Sequence, residues 1–169
     1  MKIHDQVYGD FEISEPVLLD LLEEPIVKRA DKVKQGGTTA GINNLPDFSR
    51  LEHCIGAMLI VRHLGGTIEE QIAALLHDVS HTAFSHVIDV VFDKNESQNY
   101  HEDIKESFIL DSSIPALLAK YGFSIDRILD ESNFGLLERS SPDLCADRVD
   151  YALRAQAYYR NDYAGSQAL

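Results

Sequence analysis

An all-α bundle is the fold this sequence predicts, and three observations predict it. Apolar residues recur at helical spacing, as in Val17, Leu18, Leu21 and Leu22, and again in Ile68, Ile72, Leu75 and Leu76. Ser49 with Glu52 and Thr67 with Glu70 match capping boxes, and Ser141-Pro142-Asp143 is a further helix-start signal. Only residues 1–14 read otherwise: Ile3, Val7, Tyr8, Phe11 and Ile13 around Tyr8-Gly9-Asp10 suggest a small N-terminal hairpin or an extended arm.

In chain order, the first helix follows Glu15, and Pro25 interrupts it. Ile26 to Val33 forms a second short helix. Its Lys28, Arg29 and Lys32, with Lys34 beyond, read as a solvated basic face. Residues 35–48 lack periodicity and read as a functional loop, but no Gly-Lys-Ser/Thr follows to make it a phosphate loop. Ser49 caps a helix running to about Leu64, where Gly65-Gly66 ends it. The Thr67 helix carries its apolar stripe to His77-Asp78. Shorter helices are expected around Phe84 to Phe92, His101 to Leu110, 114–121 and 124–130, with a polar run from Asp93 to Asn99. A final helix from Ser141 to about Arg160 has an apolar stripe of Ala146, Val149, Leu153 and Ala157. Beside it lies a polar line of Asp147, Asp150, Tyr151 and Arg154.

With 169 residues, the chain reads as one domain, 1–169, large enough to bury a core. A formal net charge of -13 argues against a nucleic-acid polymer as partner, because phosphate-backbone binding needs clustered Lys and Arg. A small phosphate remains open, since a metal and a few local cations can offset its charge. Cys54 and Cys145 fall in apolar helical stretches and read as small buried thiols rather than a disulfide. No signal-peptide pattern and no apolar run of the ~18 residues needed to span a bilayer occurs, so a cytoplasmic setting without membrane partners is expected.

Three helices can each aim ligand-type side chains inward: His53, the adjacent His77 and Asp78, and Asp147. Taken singly, His53 reads as a hydrogen-bonded core histidine and Asp147 as a surface acid. Together, two imidazoles and two carboxylates fill four positions around a divalent metal and leave room for water or substrate oxygens.

In chain order, His53, His77-Asp78 and Asp147 resemble the H…HD…D signature of the HD-domain metal-dependent phosphohydrolase superfamily. The resemblance is nearest to its deoxynucleoside triphosphate triphosphohydrolase-like branch. Arg50-Leu51-Glu52-His53 is similar to that branch's Arg-Phe-Glu-His. His77-Asp78-Val79-Ser80-His81, with Phe84-Ser85-His86 and Asp89, is similar to its His-Asp-x-Gly-His-x-Pro-Phe-Ser-His. Asp147-Arg148-Val149-Asp150-Tyr151 and Lys34-Gln35-Gly36-Gly37 resemble its Asp-Lys-x-Asp-Tyr and Lys-Gln-Leu-Gly.

The resemblance implies an HD-domain bundle and a hydrolase that uses one divalent metal: iron, manganese, nickel, zinc or magnesium. His53, His77, Asp78 and Asp147 would bind it; extra nitrogens on His81, His86 and His101 leave a second metal open. Asp78, His81 and His101 would be the catalytic residues, with His101, followed by Glu102, favoured as the general acid. Arg50, Arg148 and Tyr151 would hold phosphate oxygens, and Gln35 would touch sugar or base. His86, Asp89 and Asp150 would stand behind the ligands or be structural, His86 rather the latter.

The departures are Ser80, Thr82 and Ala83 in place of Gly, Gly and Pro; Gly36 in place of Leu; and Ala155 in place of an acid. Triphosphohydrolases of the branch also continue through a further helical region past the position of Leu169. A phosphorylated small molecule, a nucleotide first and a phosphomonoester or pyrophosphate next, is the expected substrate. Homo-oligomerisation stays open. The alternative is a metal- or nucleotide-binding regulatory module with weakened turnover.

Overall fold

The N-terminal segment takes the hairpin alternative. Strands β1 (Lys2–Asp5) and β2 (Gly9–Glu12) pair antiparallel with Ile3 opposite Phe11. Asp5 closes the turn, its Oδ1 accepting from the backbone N–H groups of Val7 (2.8 Å) and Tyr8 (3.0 Å). Gly9 supplies the positive φ (+77°) with which β2 begins. The structure, a computed structural model, describes residues 1–38, 42, 46–85, 87–91, 100–160 and 162; the His86 assignment and the polar run 93–99 lie outside the described residues.

Beyond the hairpin the described residues are helical and connecting segments. Helix α1 (Pro16–Glu23) and α2 (Pro25–Arg29) each open on a proline, whose missing N–H costs nothing in a first turn. A 3₁₀ turn, Ala30–Lys32, follows α2, so the helix expected through Val33 tightens into two pieces. Val33 to Gln35 and Phe48 to Arg50 are joined: Gln35 N–H donates to Phe48 O (2.9 Å) and Arg50 N–H to Val33 O (2.8 Å). This clip fixes where the next helix starts.

That helix, α3 (Arg50–His63), has the expected capping box in full. Ser49 Oγ accepts from Glu52 N–H (3.1 Å) and Glu52 Oε2 from Ser49 N–H (2.7 Å). Such a cap contributes about 1 kcal/mol and sets the phase in which Arg50 and His53 leave the helix. Thr67 caps α4 (Ile68–Leu76), but only half a box forms. The Glu70 carboxylate turns away from Thr67 and accepts from the N–H groups of Leu136 (2.7 Å) and Leu137 (3.3 Å), so it joins α4 to a distant segment.

Short helices α5 (Val87–Val91), α6 (Tyr100–Leu110), α7 (Ile114–Lys120) and α8 (Ile125–Leu129) lead to α9 (Ala146–Arg160). Phe84 lies in a turn before α5 and is exposed. The start signal at Ser141 does not open α9. The chain turns there, with Asp143 N–H donating to Ser140 O. The first N–H groups of α9 are met by backbone instead, Ala146 N–H by Leu136 O (2.8 Å) and Asp147 N–H by Leu137 O (3.3 Å).

The core joins α1, α3, α4, α6 and α7 through Leu18, Leu21, Ala57, Met58, Ile72, Leu75, Ile109 and Leu118, all fully buried. Burying each Leu or Ile contributes roughly 1.5–3 kcal/mol. Helix α3 packs against both α4 and α9. Helix α9 meets it with a face that differs from the expected apolar stripe. Asp150 and Arg154 are fully buried there with Ala146 and Ala157, while Val149 and Leu153 are only partly covered. Cys54 and Cys145 are buried free thiols. Among the described residues no helix is long and apolar enough to cross a membrane.

Candidate metal centre

Because α3 touches α4 and α9, the first turn of α3, the end of α4 and the first turn of α9 converge. His53 leaves α3, His77 and Asp78 follow the last residue of α4, and Asp147 leaves α9. Their donor atoms gather closely. His53 Nε2 lies 2.9 Å from Asp147 Oδ1, 3.2 Å from His77 Nε2 and 3.8 Å from Asp78 Oδ2. His77 Nε2 lies 3.6 Å from Asp147 Oδ1 and 3.9 Å from Asp78 Oδ2. Metal–ligand bonds of about 2.1 Å put neighbouring ligands roughly 3.0–3.5 Å apart, so His53, His77 and Asp78 gather closely enough for one small divalent ion, with Asp147 Oδ1 adjoining the two imidazoles.

The two imidazoles are held in the tautomer such an ion needs. His53 Nδ1–H donates to Asp150 Oδ2 (2.7 Å) and His77 Nδ1–H to the Ala74 carbonyl (2.7 Å). Each ring therefore turns its Nε2 lone pair toward the other and toward the two carboxylates. Two lone pairs facing each other at 3.2 Å repel unless a proton or a cation lies between them. The donor set fits a divalent metal.

Charge in the cluster follows from the same contacts. Burial alone would lower the pKa of His53, but hydrogen bonds to Asp147 and Asp150 outweigh it and hold the ring up at about 9. His77 is raised too, its burial offset by the Asp78 charge. Asp147 and Asp78 are pulled well below the usual carboxylate range in spite of burial, Asp147 by its hydrogen bonds to His53 and His77, Asp78 by the charges of His77 and Arg50. Arg50 is buried beside them, donating from Nη1 to Asp78 Oδ2 (2.5 Å) and from Nη2 to Ser85 Oγ (2.6 Å).

A second group adjoins the first. His81 Nε2 lies 3.4 Å from Asp78 Oδ1, and the His81 and His101 rings stack with centroids 3.8 Å apart. Burial pushes His81 down to about 4, so it is neutral near pH 7. His101 Nε2 lies 3.2 Å from Glu102 Oε1, and Ser80 Oγ donates to the His101 carbonyl (2.9 Å). Asp78, His81 and His101 also present donor atoms close enough together for an ion.

The remaining expected residues scatter. Gln35 is near, its carbonyl accepting from Ser85 Oγ (3.4 Å), and its side-chain Oε1 is buried without a hydrogen-bond partner among the described residues. Arg148 turns aside to Glu138 Oε1 (3.0 Å) and the Arg139 carbonyl, and Tyr151 is exposed. Asp89 is buried and accepts from Tyr100 N–H (3.0 Å).

Sequence reasoning missed several contributors. Arg29, read as part of a solvated basic face, donates to the carbonyls of Val79 (3.3 Å) and His81 (3.0 Å) and so holds the turn after Asp78. Lys28, Lys32 and Lys34 do stay exposed. Lys105 is buried against Glu131 and lies 3.6 Å from Glu102. Asp5 and Tyr8, from the hairpin, reach α9. Nothing local marks Tyr8, whose partner is 142 residues away.

Comparison with known proteins places these observations. Residues 50–152 match the HD domain family. Uncharacterized protein YdhJ of Bacillus subtilis is 49% identical over 160 residues, which cover 94% of this chain and 49% of the relative. The metal-dependent phosphohydrolase cns2 of Cordyceps militaris is 45% identical over 152 residues, 90% of this chain and 44% of the relative. The crystal structure of a hypothetical protein from Aquifex aeolicus superposes with a TM-score of 0.72 at 25% identity, over 100% of this chain and 51% of that one. The chain thus spans about half the length of the curated relatives it matches.

Proposed function

The chain belongs to the HD domain family, and from that premise we propose that it is a metal-dependent phosphohydrolase acting on a nucleotide or another small phosphate ester. The observation that carries the reading is the convergence of His53 Nε2, His77 Nε2, Asp78 Oδ2 and Asp147 Oδ1, with both Nδ1–H groups turned outward. These four residues are assigned as ligands of one divalent ion, iron, manganese, nickel, zinc or magnesium. When bound, such an ion supplies Lewis-acid polarisation of a phosphoryl group and lowers the pKa of an attacking water.

The protein's own groups account for the rest. Arg50, buried against Asp78, is assigned to a non-bridging phosphate oxygen, for which its guanidinium offers donors in a planar fork. In a chain of net charge -13, that local cation is what makes an anionic substrate acceptable. His101, oriented by Glu102, is assigned to protonating the leaving oxygen. His81, kept neutral by burial, stacks on His101 and fixes its plane. Gln35 is assigned to the sugar or base, and Tyr151 to the outer edge of the substrate. Arg148 would join only by exchanging Glu138 for a phosphate. Preference for a nucleotide rests on the motif resemblance to the triphosphohydrolase-like branch.

The test is phosphate release from a panel of nucleotides and simple phosphoesters, with each divalent metal added in turn. Release is expected with at least one metal, and His77→Ala and Asp78→Ala are expected to abolish it. Equal release by wild type and both variants would remove the reading. Ligand binding without release from any substrate would favour the regulatory-module alternative.

A further inference from the structure

The N-terminal hairpin reaches the metal centre through a buried run of polar contacts. Tyr8, in the turn between β1 and β2, donates its phenol to Asp150 Oδ1 (2.6 Å). Asp150 Oδ2 accepts from His53 Nδ1–H (2.7 Å) and from Arg154 Nε (2.9 Å). Arg154 is itself fully buried; its Nη2 donates to Asp5 Oδ2 (2.6 Å) and its guanidinium lies 5.4 Å over the Tyr8 ring. Asp5 Oδ1 returns to the backbone of Val7 and Tyr8. The turn of the hairpin, the buried Asp150–Arg154 turn of α9 and the His53 ring thus form one continuous hydrogen-bonded unit. Gly56 on α3 leaves the space it needs, since a Cβ there would collide with Asp150 Oδ1 and Arg154 Nη2.

We propose that Tyr8 is a positioning residue of the metal centre: its hydroxyl fixes the Asp150 carboxylate, which in turn aims His53 Nε2 at the ion. The inference rests on the metal-site reading above and adds a contribution from outside the helices that carry the ligands. The geometry separates this from plain packing. Without the phenol, Oδ1 keeps only a 3.1 Å contact to Arg154 Nε, an N–H it shares with Oδ2 at 2.9 Å. The 2.6 Å bond from a phenol anchored in a closed turn adds a second, independent hold on Oδ1, and the imidazole on Oδ2 inherits the orientation. Partners of metal-bound histidines typically contribute about 10- to 100-fold in metal affinity. Tyr8 acts one bond further out, so about 3- to 10-fold is expected from its hydroxyl.

The experiment titrates Mn²⁺-loaded wild-type and Tyr8→Phe protein with a chelator and reads retained manganese. Tyr8→Phe keeps the ring and leaves Asp150 Oδ1 still facing Arg154 Nε (3.1 Å), so the fold is retained. Tyr121→Phe is the matched control. Its phenol donates to Asp20 at the same 2.6 Å, between α7 and α1 and away from the ligands. Tyr8→Phe is expected to lose manganese at about 3- to 10-fold lower chelator concentration, with Tyr121→Phe equal to wild type. The His53 Nδ1–H resonance in histidine-detected NMR is expected to move in Tyr8→Phe and stay in place in Tyr121→Phe. Unchanged manganese retention in Tyr8→Phe, or an equal loss in both variants, would overturn the proposal. Because the readout is metal retention, a wild-type protein that binds manganese but hydrolyses nothing would sink the phosphohydrolase reading and leave this test intact. A wild type that binds none would overturn both.

Discussion

His53 shows how much of this site is decided by the atom that faces away from it. Its Nδ1–H is committed to Asp150, so Nε2 has only the lone pair to offer, and His77 is treated the same way by the Ala74 carbonyl. The metal-free protein answers with protons. The folded-state pKa of His53 stands at about 9 against 6.5 for a free imidazole, and His77 moves in the same direction. A raised pKa means that the folded chain holds the proton more tightly than the unfolded one. The stability it contributes is complete below about pH 6.5 and is lost as pH rises through about 9. A divalent cation must displace that proton, so metal affinity is expected to rise across the same window. Calorimetric titration with Zn²⁺ in two buffers of different protonation enthalpy measures it directly. Proton release on binding at pH 7 is the expected result, and affinity that falls between pH 6.5 and 9 would contradict it.

At the scale of elements, α9 carries the largest departure from what its sequence suggests. Periodicity predicts an apolar stripe of Ala146, Val149, Leu153 and Ala157, yet Asp150 and Arg154 take the buried face between Ala146 and Ala157. Burying two charges is costly unless each is paired and hydrogen-bonded, and here they pair with each other and with Asp5, Tyr8 and His53. Periodicity counts apolar side chains and has no way to see a partner 142 residues off. That is why Asp150 was legible only as a supporting acid, and why Tyr8 was not legible at all. Local signals did better where the physics is local. The Ser49 box, the Thr67 cap and the His77-Asp78 step at the end of α4 all occur where the sequence placed them. Half of the Thr67 box failed because Glu70 had a better use 66 residues away. The α3–α9 crossing yields a test. Gly56→Ala would gain about 0.5–1 kcal/mol in an unobstructed helix. Against Asp150 and Arg154 the added methyl is expected instead to cost about 3 kcal/mol in urea unfolding and to weaken metal retention. A stabilised Gly56→Ala protein would show that the crossing is looser than described.

For the molecule as a whole, three distant stretches supply the proposed ligands, and a fourth, the hairpin, is hydrogen-bonded through Asp150 to one of them, so the cluster exists only when the fold does. Its four donors come from residues 53 to 147, within the span that matches the HD domain family. The hairpin lies before that span, yet it is tied to the helices by Arg62, which donates to the Glu12 carbonyl (3.0 Å) while pairing with Glu15 and Gln71. Metal bound by such a centre stabilises the folded chain by linkage, in proportion to the logarithm of its concentration over the dissociation constant. The central claim is that His53, His77, Asp78 and Asp147 hold one divalent ion, and elemental analysis of the purified protein tests it most directly. About one equivalent of a divalent transition metal per chain is expected in wild type, and near none in His77→Ala and Asp147→Ala. The same metal content in wild type and both variants would contradict it.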